Sequence, residues 1–198
     1  MRVLIATMND GKLRECERLL ADVPNLEFET MASLGLWVEV DEDQDTFEGN
    51  ARKKATEVAA AASIACLADD SGLEVDALAG RPGVYSARYS GPGATDARNN
   101  AKLLQELANV PDARRTARFR CAIAVVGANG ELLAEADGAC EGRIAQEPRG
   151  SHGFGYDPVF VPDGYGQTMA ELGPETKNTI SHRAQAAAAL VPLLRDRG

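Results

Sequence analysis

The sequence feature that most constrains the fold is an Asn-Gly pair, Asn129-Gly130, which lies between two runs of strand-forming residues. Phe119 to Val126 precedes it, Glu131 to Ala136 follows it, and an extended pattern continues from Gly138 to Ile144. Asn-Gly between alternating apolar runs is typical of a β-hairpin. The middle of the chain is therefore predicted to contain adjacent antiparallel strands.

The N-terminal residues predict a different unit, a strand followed by a loop and a helix. Arg2 to Thr7 has the pattern of a short buried strand. The helix after it has apolar residues at helical spacing on one face, namely Leu13, Cys16, Leu19 and Leu20. Together with the hairpin, this unit predicts an α/β fold with a mixed β-sheet.

The loop of this unit is a candidate phosphate site. It holds Thr7, Asn9 and Lys12, and backbone N–H groups at a helix N-terminus together with a lysine suit a phosphate. The spacing of a Walker A loop is absent. Taken alone, the segment is also consistent with an ordinary capped surface helix.

An acidic pair, Asp69 and Asp70, follows the apolar run from Ile64 to Ala68. The pattern predicts that the strand ends there, in a turn at Ser71-Gly72. Adjacent residues of an extended chain point to opposite sides, so one carboxylate could hold a hard cation while the other orients a water. A solvated turn is the alternative, because Asp, Ser and Gly are common turn residues.

A second acidic segment, Glu39 to Asp45, precedes a long helical pattern that begins near Thr46-Phe47 and carries Asn50 and Lys54 on one face. Acids before a helix suit its dipole. They could also supply a metal ligand opposite Asp69 and Asp70.

Two segments near the C-terminus are candidates for binding a base. Gly150 to Pro158 is glycine-rich; Phe154 in it could stack on a planar base, and Asp157 could accept a base N–H. Packing of Phe154 into the core is the alternative. Further on, Ser181 is predicted to cap a terminal helix whose first turn contains His182 and Arg183.

Composition excludes several classes of function. Lys and Arg number 21 against 30 Asp and Glu, and the net charge of -9 disfavours nucleic acid and anionic membrane as partners. The four cysteines are widely spaced and are predicted to be thiols. With neither a signal-like run nor a membrane-spanning run, we expect one cytoplasmic domain over residues 1–198.

Seven blocks in this order resemble the inosine triphosphate pyrophosphatase family, also called dITP/XTP or non-standard purine NTP pyrophosphatases. The blocks are A-T-M-N-D-G-K-L-R-E from Ala6, T-F-E-G-N-A-R-K-K-A from Thr46, A-D-D-S-G-L-E-V-D-A-L from Ala68, P-G-V-Y-S-A-R-Y-S-G from Pro82, A-R-F-R-C from Ala117, G-F-G-Y-D-P from Gly153 and K-N-T-I-S-H-R from Lys177. They cover the chain nearly from end to end.

The resemblance implies a two-lobed α/β fold, with a long central mixed β-sheet flanked by helices and an active-site cleft between the lobes. It also implies a homodimer that uses Mg²⁺ to hydrolyse ITP, dITP and XTP to the monophosphate and pyrophosphate.

The resemblance also implies roles for particular residues. Asp70 matches the family's proton acceptor and metal ligand, with Asp69 as the other candidate base. The substrate contacts it implies are Thr7, Met8, Asn9, Asp10, Gly11, Lys12, Lys54, Ser71, Phe154, Gly155, Tyr156, Asp157, Lys177, His182 and Arg183. The family's E-E-T-G is replaced here by Asp41-Glu42-Asp43-Gln44, so ungapped alignment puts the second metal ligand at Asp41, with Glu42 as the neighbouring alternative.

Two other functions fit part of the pattern. A Maf-type pyrophosphatase acting on modified pyrimidine nucleotides shares the general architecture and an N-terminal lysine loop, but the G-F-G-Y-D and S-H-R blocks speak against it. A purine nucleotide sensor that does not hydrolyse its ligand is the other alternative, and the intact acidic pair argues against it.

Overall fold

The structure, a computed structural model, describes residues 1–8, 10–21 and 23–195, with the side chains of residues 10–12 left out. Helices and strands are interspersed along it. Their bounds are β1 Arg2–Ile5, α1 Asp10–Leu19, β2 Glu27–Thr30, α2 Phe47–Ala62, β3 Ala65–Val75, α3 Asp96–Glu106, β4 Thr116–Val126, β5 Leu132–Ile144, β6 Phe160–Pro162, α4 Met169–Ile180 and α5 His182–Arg195.

The strands form one mixed sheet in the order β2-β1-β3-β4-β5-β6. β1 pairs in parallel with β2 and with β3, whereas β5 and β6 are antiparallel. The predicted α/β class and mixed sheet are confirmed.

The Asn-Gly turn has the geometry that its sequence predicts. The N–H of Gly127 donates to the carbonyl of Glu131 at 2.8 Å, which closes the turn between β4 and β5. Gly130 has a φ of 82°, a conformation that glycine adopts without a steric penalty.

The chain divides into two compact units. Unit 1 comprises residues 1–70, 121–138 and 183–198, and unit 2 comprises residues 71–120 and 139–182. Each has a core of its own. In unit 1 the buried core residues include Val3, Ile5, Cys16, Leu67, Ile123, Val125 and Leu190, and in unit 2 they include Leu73, Val75, Leu103, Phe119, Ile144 and Phe160.

The prediction of a turn at Ser71-Gly72 is wrong, because β3 continues through these two residues to Val75. Leu73 and Val75, just beyond, are completely buried in the core of unit 2. Their burial favours an extended chain over the local turn preference of Ser and Gly. Asp69 and Asp70 are therefore interior residues of a long strand.

No helix within the described residues is both long enough and apolar enough to cross a membrane. The four cysteines are buried thiols. α5 begins at His182, directly after Ser181, as predicted.

Candidate active site

In unit 1 the two acids of β3 have different partners. Asp69 accepts hydrogen bonds from Arg183 on α5, at 3.0 Å from Nη2 and 3.3 Å from Nε. Asp70 accepts one at 2.9 Å from the amide Nδ2 of Asn50 on α2. Both carboxylates are buried, with 3% and 6% of their surfaces exposed. The predicted alternative of a solvated turn is therefore wrong.

Arg183 is the centre of a buried ion cluster. Only 1% of its surface is exposed, and besides Asp69 it donates to the carboxylate of Glu15 on α1. Burial on its own lowers the pKa of Arg183, but the carboxylates of Asp69 and Glu15 outweigh that effect, and the pKa is raised. The structure thus places Arg183, predicted as a substrate contact, in an ion cluster with Asp69.

Asn50 connects the acidic segment to Asp70, a function that the sequence did not indicate. Its Oδ1 accepts the N–H of Gln44 at 2.9 Å while its Nδ2 donates to Asp70. Only 1% of its surface is exposed, so both hydrogen bonds are shielded from water. The one available signal was its spacing of four residues from Lys54 on the same helix face.

Lys54 lies among the acids of unit 1. Its Nζ contacts Oε1 of Glu42 at 2.7 Å. Burial lowers the pKa of Lys54, but the Glu42 carboxylate and, more weakly, Asp69 and Asp70 outweigh burial, and the pKa is raised. A positive charge therefore lies within the field of three carboxylates.

Asp41 and Glu42 are in different surroundings. Asp41 is exposed. The pKa of the nearby Lys53 is raised mainly by the hydrogen bond that Lys53 donates to Asp43, and the charge of Asp41 adds to this effect. Glu42 is half-buried against Lys54. Of the two candidate metal ligands, Glu42 is the one grouped with Asp70.

The candidate phosphate loop begins beside the acidic pair. β1 and β3 are parallel with Ile5 opposite Leu67, and the N–H of Ala6 donates to the carbonyl of Leu67 at 2.8 Å. Thr7 is half-buried and Met8 is exposed. Asn9 and the side chains of Asp10, Gly11 and Lys12 lie outside what the structure describes.

Parallel strands bind ligands beyond their carboxyl ends, where loops and helix N-termini converge. The loop at Thr7 leaves β1 two residues after Ile5, and Asp69 comes two residues after Leu67 on β3. The sheet register thus brings the start of this loop level with the acidic pair.

A metal ion at this group would have few protein ligands. Over the described residues, no three His, Cys, Asp or Glu side chains are arranged so that they could hold a metal ion. Mg²⁺ commonly binds through one or two carboxylates together with substrate phosphates and waters. Glu42 and Asp70 supply hard oxygen donors of that kind.

In unit 2, Phe154, Asp157 and Lys177 form the glycine-loop site. Nζ of Lys177 lies 4.3 Å from the centre of the Phe154 ring and 2.6 Å from Oδ2 of Asp157. The same Oδ2 accepts the N–H of Phe154 at 3.0 Å. A Cβ on Gly153, which has a φ of +80°, would lie only 2.0 Å from this oxygen, so the loop requires glycine there.

The remaining predicted contacts of unit 2 are dispersed around this loop. Phe154 is half-buried and is not a member of the core of unit 2, which contradicts the alternative of a core phenylalanine. Tyr156 is buried, and its hydroxyl donates to the carbonyl of Ser86 at 2.8 Å. His182 stacks on Phe119 with ring centres 4.8 Å apart, and Ser71 is half-buried in β3.

Comparison with known proteins identifies the family of this chain. Residues 3–193 match the Ham1 family. The chain belongs to the Ham1 family. It is 50% identical to the dITP/XTP pyrophosphatase of Geobacter sulfurreducens and 48% identical to that of Bacillus subtilis, over 96% of this chain and 94% and 96% of those proteins.

A solved Ham1 structure has the same fold. The HAM1 protein from Coxiella burnetii superposes with a TM-score of 0.90 at 40% sequence identity, and the match covers 99% of both chains. Membership of the Ham1 family therefore rests on sequence and on fold, and the resemblance drawn from the seven sequence blocks is confirmed.

Proposed function

We propose that this protein hydrolyses the non-standard purine nucleotides ITP, dITP and XTP to the monophosphate and pyrophosphate, and so removes them from the nucleotide pool. One observation carries the proposal: a buried Asp70, fixed by Asn50, shares the acidic group of unit 1 with Lys54 and Glu42. The names of the curated Ham1 relatives support it.

The residues of unit 1 carry the chemistry of this proposal. Asp70 accepts a proton from a water that attacks the α-phosphorus, and pyrophosphate leaves. Asn50 keeps the carboxylate of Asp70 in one orientation through its 2.9 Å hydrogen bond. Lys54, together with Lys12, offsets the charge of the triphosphate.

A divalent cation, Mg²⁺, fits the oxygen donors of this group. Glu42 and Asp70 are the ligands we propose, because Asp41 is exposed and lies near Lys53. When bound, Mg²⁺ neutralises phosphate charge and helps to orient the phosphate chain.

The residues of unit 2 account for the choice of base. Phe154 stacks on the purine, and Lys177 donates to the oxygen at position 6 of hypoxanthine or xanthine. Asp157 holds Lys177 at 2.6 Å and, through the N–H of Phe154, also fixes the loop that carries the ring.

The proposal is tested by incubating the purified protein with Mg²⁺ and ITP, dITP, XTP, GTP, ATP or dUTP and separating the products by ion-exchange chromatography. We expect IMP, dIMP and XMP with one pyrophosphate each. Release of orthophosphate and a diphosphate contradicts the proposed bond cleavage. The same assay distinguishes the alternatives, because a Maf-type enzyme cleaves pyrimidine nucleotides and a sensor binds ITP without product.

We also propose a cytoplasmic homodimer that contacts neither nucleic acid nor membrane. The dimer rests on the family resemblance, and the absence of polymer partners rests on the net charge of -9. Sedimentation equilibrium gives the assembly state, and a mass of one chain at micromolar concentration contradicts the dimer.

A further inference from the structure

Both peptide groups of Gly155 are held by the first turns of α3. The N–H of Gly155 donates to Oδ2 of Asp96 at 2.7 Å, and its carbonyl accepts from Nδ2 of Asn100 at 2.9 Å. Asp96 and Asn100 are four residues apart and therefore share one face of the helix. Two side chains of one rigid helix thus grip a single residue of the glycine loop.

The gripped residue lies next to Phe154. Phe154 has other contacts as well: its N–H donates to Asp157 at 3.0 Å, its carbonyl accepts the N–H of Asp157 at 3.3 Å, and Nζ of Lys177 lies 4.3 Å from the centre of its ring. Gly155 itself has a φ of 62°, and a glycine backbone with this freedom needs outside contacts to hold one conformation. The orientation of the Phe154 ring therefore depends on the contacts of Gly155 as well as on Asp157 and Lys177.

The helix that provides this grip is itself anchored. Nδ2 of Asn99 donates to the carbonyls of Ser86 and Ala87, and its Oδ1 accepts the N–H of Ser90. The next loop residue, Tyr156, also bonds to the carbonyl of Ser86. α3 and the glycine loop thus share one support.

We infer that Asp96 and Asn100 are positioning residues for the purine base: they fix Gly155, and through it they set the ring of Phe154 for stacking. The inference rests on the proposed function of Phe154. Asp96 suits the N-terminal dipole of α3 and is exposed, so the core does not require it. If Asp96 only stabilised the helix, it would not need the hydrogen bond from the N–H of Gly155.

The role predicts an effect on the base and none on the phosphates. Without the grip, the loop samples several conformations, and the nucleotide must order it on binding. KM for ITP should rise while kcat stays nearly constant. Inhibition by inorganic tripolyphosphate, which has no base, should be unchanged.

The test compares Asp96→Ala, Asp96→Asn, Asn100→Asp and Thr95→Ala. Asp96→Ala removes the acceptor, whereas Asp96→Asn keeps an oxygen for the N–H of Gly155. Asn100→Asp keeps the shape of the side chain but cannot donate to the carbonyl. Thr95→Ala is the matched control, because Thr95 caps α3 through the N–H of Arg98 and has no bond to Gly155.

We expect Asp96→Ala and Asn100→Asp to raise KM for ITP roughly tenfold, the effect of one lost hydrogen bond beside an ordered loop. Asp96→Asn and Thr95→Ala should stay within about twofold of wild type, although Thr95→Ala should lower the melting temperature. Binding of IMP, measured by calorimetry, should weaken in parallel with KM.

An unchanged KM in Asp96→Ala overturns the inference, as does an equal loss in Asp96→Asn or a parallel loss of tripolyphosphate inhibition. Asp96→Ala remains decisive if the buried carboxylate of Asn100→Asp prevents folding. Wild-type protein that binds IMP but leaves ITP intact contradicts the proposed hydrolysis and leaves the binding comparison valid. Wild-type protein that binds no IMP overturns both the proposed function and the inference about Asp96 and Asn100.

Discussion

Arg183 donates from Nη2 to Oδ2 of Asp69 at 3.0 Å in the interior of unit 1. This ion pair neutralises one member of the acidic pair on β3. The other member, Asp70, accepts a hydrogen bond from a neutral amide, that of Asn50. Because Asp69 is held in an ion pair with the buried Arg183, we assign the support of the fold to Asp69, and we propose that Asp70, which matches the family's proton acceptor, carries the chemistry.

Changing each acid to its amide should therefore have a different effect, on catalysis for Asp70 and on stability for Asp69. Asp70→Asn should lower kcat by roughly 10²–10⁴-fold, because an amide cannot accept the proton, while ITP still binds. Asp69→Asn leaves Arg183 with less compensating charge and should cost about 3 kcal/mol of unfolding free energy. Steady-state kinetics and urea unfolding of both variants separate these outcomes. If kcat of Asp70→Asn stays within about threefold of wild type, the proton acceptor is Asp69 and not Asp70.

Asn50→Ala should impair both catalysis and stability. The change leaves Asp70 and the N–H of Gln44 without the amide that bonds to both, and unsatisfied buried groups cost about 1–3 kcal/mol. Asn50→Asp places a second acid beside Asp70, which raises the pKa of the Asp70 carboxyl, so the activity that this variant retains should require a higher pH. Melting curves and kcat, with exposed Glu57→Gln as the control on α2, check this. Wild-type values in Asn50→Ala contradict a positioning role.

Much of the fold follows from local sequence pattern. The hairpin at Asn129-Gly130 and helix α2 after Thr46 are predicted correctly because their signals are local and agree with the burial around them. The sequence pattern does not predict α4. Gly173, with a φ of 78°, and Pro174 interrupt this segment, but helical turns lie on both sides of them.

The candidate site was less predictable, because its partners are distant in the chain. Residue type and order indicate Asp70, Lys54 and Phe154 as important. Nothing local indicates that Arg183 bonds to a residue 114 positions earlier, or that Asn50 spans from Gln44 to Asp70. Burial and pairing of charges depend on tertiary packing, which a single sequence does not display.

Glu42, more than Asp41, should control the requirement for Mg²⁺. Glu42 is grouped with Lys54 and Asp70, whereas Asp41 is exposed near Lys53. We expect Glu42→Gln to raise the Mg²⁺ concentration for half-maximal activity at least about tenfold, and Asp41→Asn to change it by less than about twofold. Excess EDTA should abolish wild-type activity. If Asp41→Asn raises the Mg²⁺ requirement more than Glu42→Gln does, Asp41 is the ligand. Full activity in EDTA would contradict the proposed requirement for a metal.

The ion pair of Lys54 should stabilise the protein throughout the neutral range. Its pKa is raised in the folded protein, so its contribution is complete below the ordinary lysine pKa of about 10.4 and is lost as pH rises through the higher folded value. The stability difference between wild type and Lys54→Met should be constant from about pH 7 to about pH 9 and shrink above about pH 10.4. Urea unfolding across this range measures it.

Lys53→Met is the matched control for Lys54, since Lys53 is adjacent on α2 and pairs with the exposed Asp43. It should leave the urea unfolding midpoint nearly unchanged, because exposed ion pairs contribute little to stability. Lys54→Met should also raise KM for ITP more than the inhibition constant of IMP, because a lysine acts as a point charge on the phosphate chain. Equal losses for ITP and IMP would mean that Lys54 has a structural role.

Hypoxanthine and xanthine nucleotides should be cleaved better than adenine nucleotides, and Lys177 should cause much of the difference. Stacking on Phe154 does not distinguish the bases, because every base has a π-face. Nζ of Lys177 lies 4.3 Å from the centre of that ring and can donate to an oxygen at position 6, where adenine has an amino group instead. ATP leaves the buried ammonium unpaired with the base, so kcat/KM for ATP should be roughly 10- to 100-fold below that for ITP.

Lys177→Met should narrow this ratio by lowering kcat/KM for ITP about tenfold while ATP changes little, because ATP gains nothing from the ammonium. The control is Lys102→Met, another lysine of unit 2, whose Nζ bonds to the carbonyl of Tyr89. Loss of the buried partner of Asp157 destabilises the variant as well, so kinetics are measured below its melting temperature. A parallel fall for ITP and ATP assigns Lys177 to the support of the loop, and wild-type protein that cleaves ATP as fast as ITP contradicts the donor assignment altogether.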